Sequence, residues 1–515
     1  MGMSRKEKAS LNIISSAVLD LISVINGFIL PRLILQNYGS AYNGIVSSAT
    51  QFLSLISILT IGIGASTRVA LYRALADQDV KATSSIIRAT ENYMRRVGTI
   101  LAVYILGLAL VYPFVVKTGF SFWEVSSLII IVGLSSFAEY YFGITYRTLL
   151  LADQCVFISN IFSILATILN LVLTVILIRA GFSFQMVKLG SAVVFVLKPL
   201  LQNIYVSKRY RIDKHCEPDM NALKNRRDTM MHTVANIVHN NTDLVVLTLL
   251  TDVKTVSVYT VYNLVLGAIS KTQSIFTSGT EPIFGSMWAR GEAEGISRNL
   301  SIYECFISMF SAIAYSVTAV MILPFVAIYT RNVNDVEYIR PIYAEVIILA
   351  FVILAFRTPY LALVQGIGHY RQTRSAAIWE AAINLSVSII LVLAIPSQKY
   401  KMVGVALGTL VANLFRTIHY AIYIDNHVVQ RGKHVFALRI LWTLANIILI
   451  STTADTFISR FSIDTWKAWV LCAACVGLFS TVFTIASAVI FYRRDMKNTM
   501  RVFISMIRKR LPKKN

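Results

Sequence analysis

Acidic side chains are scarce in this 515-residue chain: 26 Asp and Glu stand against 48 Lys and Arg, and the four types together make up only 14% of it. A soluble domain carries roughly 25% charged residues, so a water-covered globular surface is excluded. Cysteines are few, odd in number and scattered (Cys155, Cys216, Cys305, Cys472, Cys475). Cys472 and Cys475 form a C-x-x-C, but it lies in an apolar run where thiols behave as small hydrophobes. No other Cys or His pair completes a ligand set, so no metal is expected. Also missing are a P-loop, an H-E-x-x-H, a G-x-S-x-G elbow and any large extramembrane loop with acidic groups. An enzyme is therefore not expected. The N-terminus, MGMSRKEKAS, is short and basic, the apolar segment behind it is too long for a signal-peptide core, and Lys6 departs from the myristoylation pattern. No cleaved leader is read.

What the chain has in abundance is apolar sequence, 56% of it, with mean hydropathy +0.65. The first long stretch, LNIISSAVLDLISVINGFILPRLILQ, exceeds the roughly 20 residues that cross a bilayer as a helix. Asn12, Ser16, Asp20, Ser23 and Gly27 share one face of it, a stripe that lipid cannot satisfy and that must meet other helices or a wet cavity. Fourteen such spans are expected: 11–35, 44–71, 94–116, 124–150, 156–178, 184–206, 231–250, 259–285, 301–328, 341–365, 376–395, 402–424, 437–457 and 466–492. With residues near a span end, such as Arg147, counted with the adjoining loop, 32 of the 48 basic residues fall on one side of these spans, 10 on the other and six well within them. That bias puts both termini in the cytoplasm, and it accounts for the net charge of +22 through topology and attraction to anionic lipid rather than nucleic acid. The stretch from Arg73 to Arg96 reads as an amphipathic surface helix leading into the third span. The last two spans carry no intramembrane charge on this reading and look peripheral.

A shift of 214 residues matches Phe142 with Phe356, Tyr146 with Tyr360, Leu149 with Leu363, Asn170 with Asn384, Leu171 with Leu385, Gly190 with Gly404 and Leu200 with Leu414. Spans four to six thus repeat as ten to twelve in the same direction, a parallel repeat of the sort that places a transport site between two bundles. The expected organisation is a lobe of six helices over 1–206, a basic linker over 207–229, a second lobe over 230–424, and two further helices with a basic tail over 425–515. Span twelve holds a G-x-x-x-G, Gly404 and Gly408, that permits close helix contact.

Six cations lie within spans: Arg32, Arg68, Lys198, Lys271, Arg357 and Arg416. Each costs roughly 2.5 to 3.5 kcal/mol at the bilayer centre on insertion scales, although Lys198, Arg416 and Arg68 could snorkel to an interface. Arg32, Lys271 and Arg357 have polar or helix-breaking neighbours. The bland alternative pairs these cations with Asp20, Asp243, Glu281 or Glu345. The functional one is a cationic cavity for an anion, and guanidinium suits phosphate because it donates two hydrogen bonds at once. The same acids could instead carry a proton or Na⁺ that couples to alternating access. Asn26, Gln51, Asn240 and Asn263 lie on polar faces suited to contacting sugar.

The stretch NYGSAYNGIVSSATQFLSLISILTIGIGASTRVALYRALAD, then TENYMRR and FGITYRTLLLADQ, resembles the Wzx-type polysaccharide flippases of the MOP/MATE transporter superfamily. The resemblance implies an all-α polytopic membrane protein with about 14 transmembrane helices: two pseudo-symmetric six-helix lobes around a central cavity, plus two C-terminal helices. It implies translocation of undecaprenyl-pyrophosphate-linked oligosaccharide to the outer leaflet of the bacterial cell membrane for surface polysaccharide assembly. It would involve no cofactor beyond a coupling Na⁺ or H⁺. Membrane lipids and polysaccharide polymerase or other assembly proteins are the partners it suggests. By position, Arg32, Arg68, Lys271 and Arg357 would hold the pyrophosphate. Lipid II as cargo, and a MATE-like multidrug or cation antiporter, stay open as alternatives.

Overall fold

The computed structural model describes residues 4–213, 215–220, 227–432, 434–493 and 495–497. Among these the first half of the chain forms α1 (Arg5–Tyr38), α2 (Ser40–Ser54), α3 (Ile63–Ala76), α4 (Val80–Val115), α5 (Phe122–Ala138), α6 (Ile144–Ala152), α7 (Val156–Arg179) and α8 (Phe184–Arg209). The second half forms α9 (Arg227–Leu250), α10 (Val253–Ala289), α11 (Ala293–Tyr329), α12 (Pro341–Ile367), α13 (Tyr370–Ala394), α14 (Gln398–Ile424), α15 (His434–Ile458) and α16 (Trp466–Phe491). Local chemistry sets several starts. Ser4 with Glu7, and Ser121 with Glu124, make capping boxes, and Asp79 accepts from the Ala82 amide.

Twelve stretches among the described residues are long and apolar enough to cross a membrane. The chain is an all-α polytopic membrane protein. Helices α9 and α10 stand where spans seven and eight are expected but are not among the twelve. Asn236, His239, Asn240 and Asp243 dilute the first, and Lys271 and Glu281 interrupt the second.

Three details differ from the sequence reading. The second span is not one helix: α2 tightens into a 3₁₀ turn over Leu55–Thr60, and α3 restarts after Gly62, whose φ of +79° favours glycine. The expected surface helix over Arg73–Arg96 is split, because α3 runs through Arg73 to Ala76 and α4 is then continuous from Val80 to Val115. The thirteenth span does hold an intramembrane charge, the buried Arg439. It reads from sequence as one more basic residue of the preceding loop.

Packing divides the chain into two compact units, Met1–Thr260 with Asn332–Val336, and Val261–Arg331 with Glu337–Asn515. The division runs through α10 rather than through residues 207–229, because α9 and the first turns of α10 pack within the first unit. In that unit α1 lies along α7, and α5 packs on both α4 and α8. One core gathers Ile45, Tyr112, Leu128, Phe184 and Val253, and another Leu71, Ile87, Leu149 and Val206. In the second unit α14 packs on α12 and α13, while α15 and α16 both lie on α11. Its main core joins Phe284, Leu300, Tyr303, Tyr360 and Tyr420.

The 214-residue repeat is visible in this packing. A Cβ on Gly190 would meet Leu173 and Leu177, and one on Gly404 would meet Leu391 and Ile395; Leu177 and Leu391 are themselves repeat partners. Asn170 and Thr174 are buried on α7, and so are their partners Asn384 and Ser388 on α13. The α13–α14 contact is the tighter one, since a Cβ on Gly408 would overlap Ser388. Gly107 on α4 has open space around its Cα. Gly408→Ala should therefore destabilise the protein by about 1–3 kcal/mol through overpacking, whereas Gly107→Ala should be neutral or mildly stabilising. Thermal unfolding of the two variants in one detergent checks this.

Candidate functional site

In the first unit the polar faces form a seam. Gly39, with φ of +88°, is the single residue between α1 and α2. Asp335 accepts from the Ser40 amide at 2.9 Å and from the Ser40 hydroxyl at 2.5 Å, so a carboxylate distant in sequence caps the N-terminus of α2. The Lys254 ammonium donates to the Asp335 carbonyl at 3.1 Å. One turn along α2, a Cβ on Gly44 would overlap the carbonyl oxygen of Val253; only glycine permits that approach. Asn43 donates to the Ser257 hydroxyl at 2.8 Å in a buried contact. Further along, Gln51 donates to the side chain of Asn241, and Ser54 donates to the same oxygen at 2.6 Å. Asp243 is buried behind the seam and accepts from the Tyr259 hydroxyl at 3.1 Å.

The polar stripe of α1 is divided. Its first turns dock on α7, where Asn160 donates to Ser15 and Ser16 at 3.0 Å, and Asn12 accepts from the Phe157 amide at 2.8 Å. Asp20, farther along, is exposed. Nearby, Asp153 accepts from Lys8 at 3.0 Å and from Tyr210 at 2.6 Å. Burial disfavours the Asp153 carboxylate, but these donors together hold its pKa below the ordinary range. The turn from α5 to α6 is a π-helical segment, Glu139–Gly143, and Glu139 pairs with Lys198 at 3.1 Å. Lys198 thus has a carboxylate partner within its own unit.

The second unit concentrates buried charge. Arg357 on α12 donates to Glu380 on α13, and Arg416 on α14 lies 3.7 Å from the other oxygen of the same carboxylate. Arg416 also donates to Tyr420 at 2.6 Å, and its exposure of 3% excludes a snorkelling role. In the same unit, Arg431 grips Glu304 on α11 with two hydrogen bonds of 2.5 and 2.9 Å. Arg439 lies 3.1 Å from Glu304 and donates to Asp495 at 2.6 Å. Asp425, at the π-helical end of α14, sits 3.6 Å from Arg431. Burial opposes the Arg431 charge, but the adjacent Glu304 carboxylate raises its pKa further still.

The residues singled out from sequence are accordingly dispersed in role. Arg357 has a carboxylate of its own unit, and that partner is Glu380, not Asp20, Asp243, Glu281 or Glu345. Lys271 is exposed on α10 and Arg68 half-buried on α3; neither has an ion pair among the described residues. Arg32 and Asn26 are half-buried on α1, Asn263 is half-buried on α10, and Asn240 and Glu345 are exposed. Glu281 is half-buried where α10 crosses α12; a Cβ on Gly366 would come within 2.5 Å of its carbonyl. Gln51 is the sugar-contact candidate that the seam engages. Sequence reasoning missed Glu304, Glu380, Arg431, Asp335 and Asn43 as partners. For Glu304 and Glu380 a signal existed: a carboxylate isolated in an apolar run demands a cation somewhere.

No protein-family model and no curated protein matches the sequence. Solved structures do. The chain is similar to the lipid II flippase MurJ in its inward closed conformation, with 14% identity, TM-score 0.65, and coverage of 94% of this chain and 99% of that one. It is also similar to a multidrug resistance MATE family transporter of the MOP superfamily. In its inward-facing conformation the identity is 15% and the TM-score 0.54, covering 83% of this chain and 96% of that one. In its outward-facing conformation the identity is 15% and the TM-score 0.51, covering 81% and 96%. The fold is the one these solved structures share. Identities this low establish the fold alone.

Two outcomes follow from the charge placement. Glu380→Gln strands two buried guanidiniums and should cost about 3–5 kcal/mol, read as a large drop in melting temperature, while Lys271→Gln should leave it unchanged. Because the Asp153 pKa is lowered on folding, its contribution is complete above the ordinary carboxylate pKa and is lost as pH falls through the lowered value. Asp153→Asn should therefore melt earlier than wild type at neutral pH, with the gap closing at the acid end of a pH series.

Proposed function

We propose that the protein is a flippase of a lipid-linked, pyrophosphate-bearing oligosaccharide. It would work by alternating access in the bacterial cytoplasmic membrane, with both termini cytoplasmic. The observation that carries this reading is the charge left after pairing. The acids Glu139, Glu304 and Glu380 are committed to cations, whereas Lys271 and Arg68 have no carboxylate partner among the described residues. A cation that the span reading places within the bilayer is costly without an acid unless an anion visits it. Guanidinium and ammonium groups recognise phosphate, and the amides and hydroxyls of α1, α2, α9 and α10 suit sugar. Likeness over 94% of the chain to a lipid II flippase supports a lipid-linked cargo. The MATE-like alternative, taking organic cations, would call for acids in surplus.

The test is complementation of bacteria lacking their polysaccharide flippase, and separately of bacteria depleted of their lipid II flippase. Wild type should restore surface polysaccharide in the first. Arg68→Ala and Lys271→Ala should abolish rescue at unchanged membrane levels, whereas Arg357→Ala should act mainly by lowering those levels. Rescue of the second strain alone would make lipid II the cargo. Normal rescue by Arg68→Ala and Lys271→Ala would overturn the anion-binding reading.

A further inference from the structure

Three segments of the second unit that the basic-residue count assigns to the cytoplasm meet at one place: the start of α11, the start of α15 and the residues after α16. A cavity of about 900 Å³ lies there, with Glu292, Glu294, Ser297, Arg298, Ser301 and Asp495 in its wall. That volume is ordinary for a small-molecule site. Ser301 opens the ninth expected span and Asp495 follows the fourteenth, so on the span reading the cavity sits at the depth of the lipid head groups.

The cavity is bipolar. Behind its floor lies the Arg439 guanidinium, 3% exposed. It donates to the Ser301 carbonyl at 2.8 Å, to the Ser301 hydroxyl at 3.3 Å and to Asp495 at 2.6 Å. Arg431 donates to the same hydroxyl at 3.3 Å. The Nε of Arg439 has no hydrogen-bond acceptor among the described residues. Glu304 is shared by the two guanidiniums, so the Arg439 charge is completed by Asp495. The rim, in contrast, carries the exposed carboxylates of Glu292 and Glu294. Glu294 and Arg298 stand one turn apart on α11, a spacing at which opposite charges can close an ion pair. Both line the cavity, yet neither has an ion-pair partner among the described residues.

We propose that this cavity binds a phosphoethanolamine group, with the phosphate on Arg298, Ser301 and, in place of Asp495, Arg439, and the ammonium between Glu292 and Glu294. Its depth favours the head group of an inner-leaflet phospholipid over a soluble ester. The inference draws on neither the cargo nor the transport cycle.

A ligand carrying both charges answers both ends of the cavity. A simple anion would meet two carboxylates at the rim, and a simple cation would meet Arg298 and the guanidiniums behind the floor. A phosphate diester carries the same single charge as the Asp495 carboxylate that it replaces, so the buried guanidinium is never left bare, and guanidinium offers phosphate two hydrogen bonds at once. Asp495 suits that exchange. Its side chain keeps 24% exposure, while the neighbouring Met496 is buried against Trp442 and Ala488 and holds the segment in place. The Tyr492 ring, 5.7 Å from the Arg439 guanidinium, holds that cation as the anions exchange. A primary ammonium donates three hydrogen bonds to the rim acids; a trimethylated one donates none.

The site is tested on the purified full-length chain in one detergent, by melting temperature. Short-chain phosphatidylethanolamine, phosphatidylcholine and phosphatidylglycerol are titrated in turn, and then water-soluble phosphoethanolamine. Phosphatidylethanolamine should raise the melting temperature to a plateau, with several-fold smaller shifts from the other two lipids. Arg298→Ala and Glu294→Gln change exposed side chains and should each weaken the apparent affinity several-fold. Asp495→Asn should start from a lower melting temperature and gain more from the lipid than wild type does. A full shift with soluble phosphoethanolamine would support the same chemistry and make the source a soluble ester. Equal shifts from all three lipids, or a wild-type response in the Arg298→Ala, Glu294→Gln double variant, would overturn the proposal. A gain in Asp495→Asn no larger than that of wild type would overturn the exchange at Arg439.

Discussion

A charge in hydrocarbon must find its counter-charge, and in the second unit two carboxylates organise that requirement. Glu380 sits between Arg357 and Arg416, and so ties α12, α13 and α14 into one block. Glu304 sits between Arg431 and Arg439, which ties α11 to α15 and to the segment leaving α14. Burying an ion pair gains little against an apolar pair of equal size, but removing one member leaves a bare charge at a cost of several kcal/mol. The contribution of these hubs is therefore specificity: helices of near-uniform apolarity could pack in many registers, and only one satisfies both carboxylates.

The first unit meets the same solvent problem with neutral groups. Under the 214-residue repeat the positions of Arg357, Glu380 and Arg416 correspond to Gly143, Ala166 and Gln202. Where one repeat has a charged hub, the other has a π-helical turn and amide contacts such as that between Ser159 and Gln202 at 3.1 Å. Hydrogen bonds of this kind exchange readily with water, whereas desolvated guanidinium pairs do not. The repeats share a backbone plan and differ in how firmly each is held. The rigid block lies in the second unit, and the polar, exchangeable contacts lie along α2, α9 and α10.

How much of this could be read in advance follows from the range of each interaction. Helix positions were legible because hydropathy and capping act within a few residues, and the repeat because Gly190 and Gly404 recur with the leucines that they pack against. The break at Gly62 was not, since a glycine in an apolar run is usually carried within a helix and only its left-handed backbone distinguishes it. Partner identity was not legible either. Arg357 reaches Glu380, 23 residues on, while Asp335 reaches Ser40, 295 residues back; nothing local in either segment records the match. Arg439 was misread for a related reason. A basic residue beside a span end looks like a topology signal until its carboxylate is found. The division within α10 was hidden too, because the basic segment over 207–229 marks a repeat boundary, and packing followed Gly44 and Val253 instead.

The Glu304 hub also bears on how the protein is made. Glu304 lies in α11, yet its guanidinium partner Arg431 is 127 residues farther along the chain. At translation rates of about 5–20 residues per second, that separation means on the order of ten seconds between the two entering the nascent chain. During that interval α11 holds a carboxylate whose native partners do not yet exist, and lipid offers it no substitute. The helix must wait at the membrane interface or remain within the insertion machinery until α15 arrives. Helix α15, peripheral on the sequence reading, thereby sets the moment at which α11 can finish entering the bilayer.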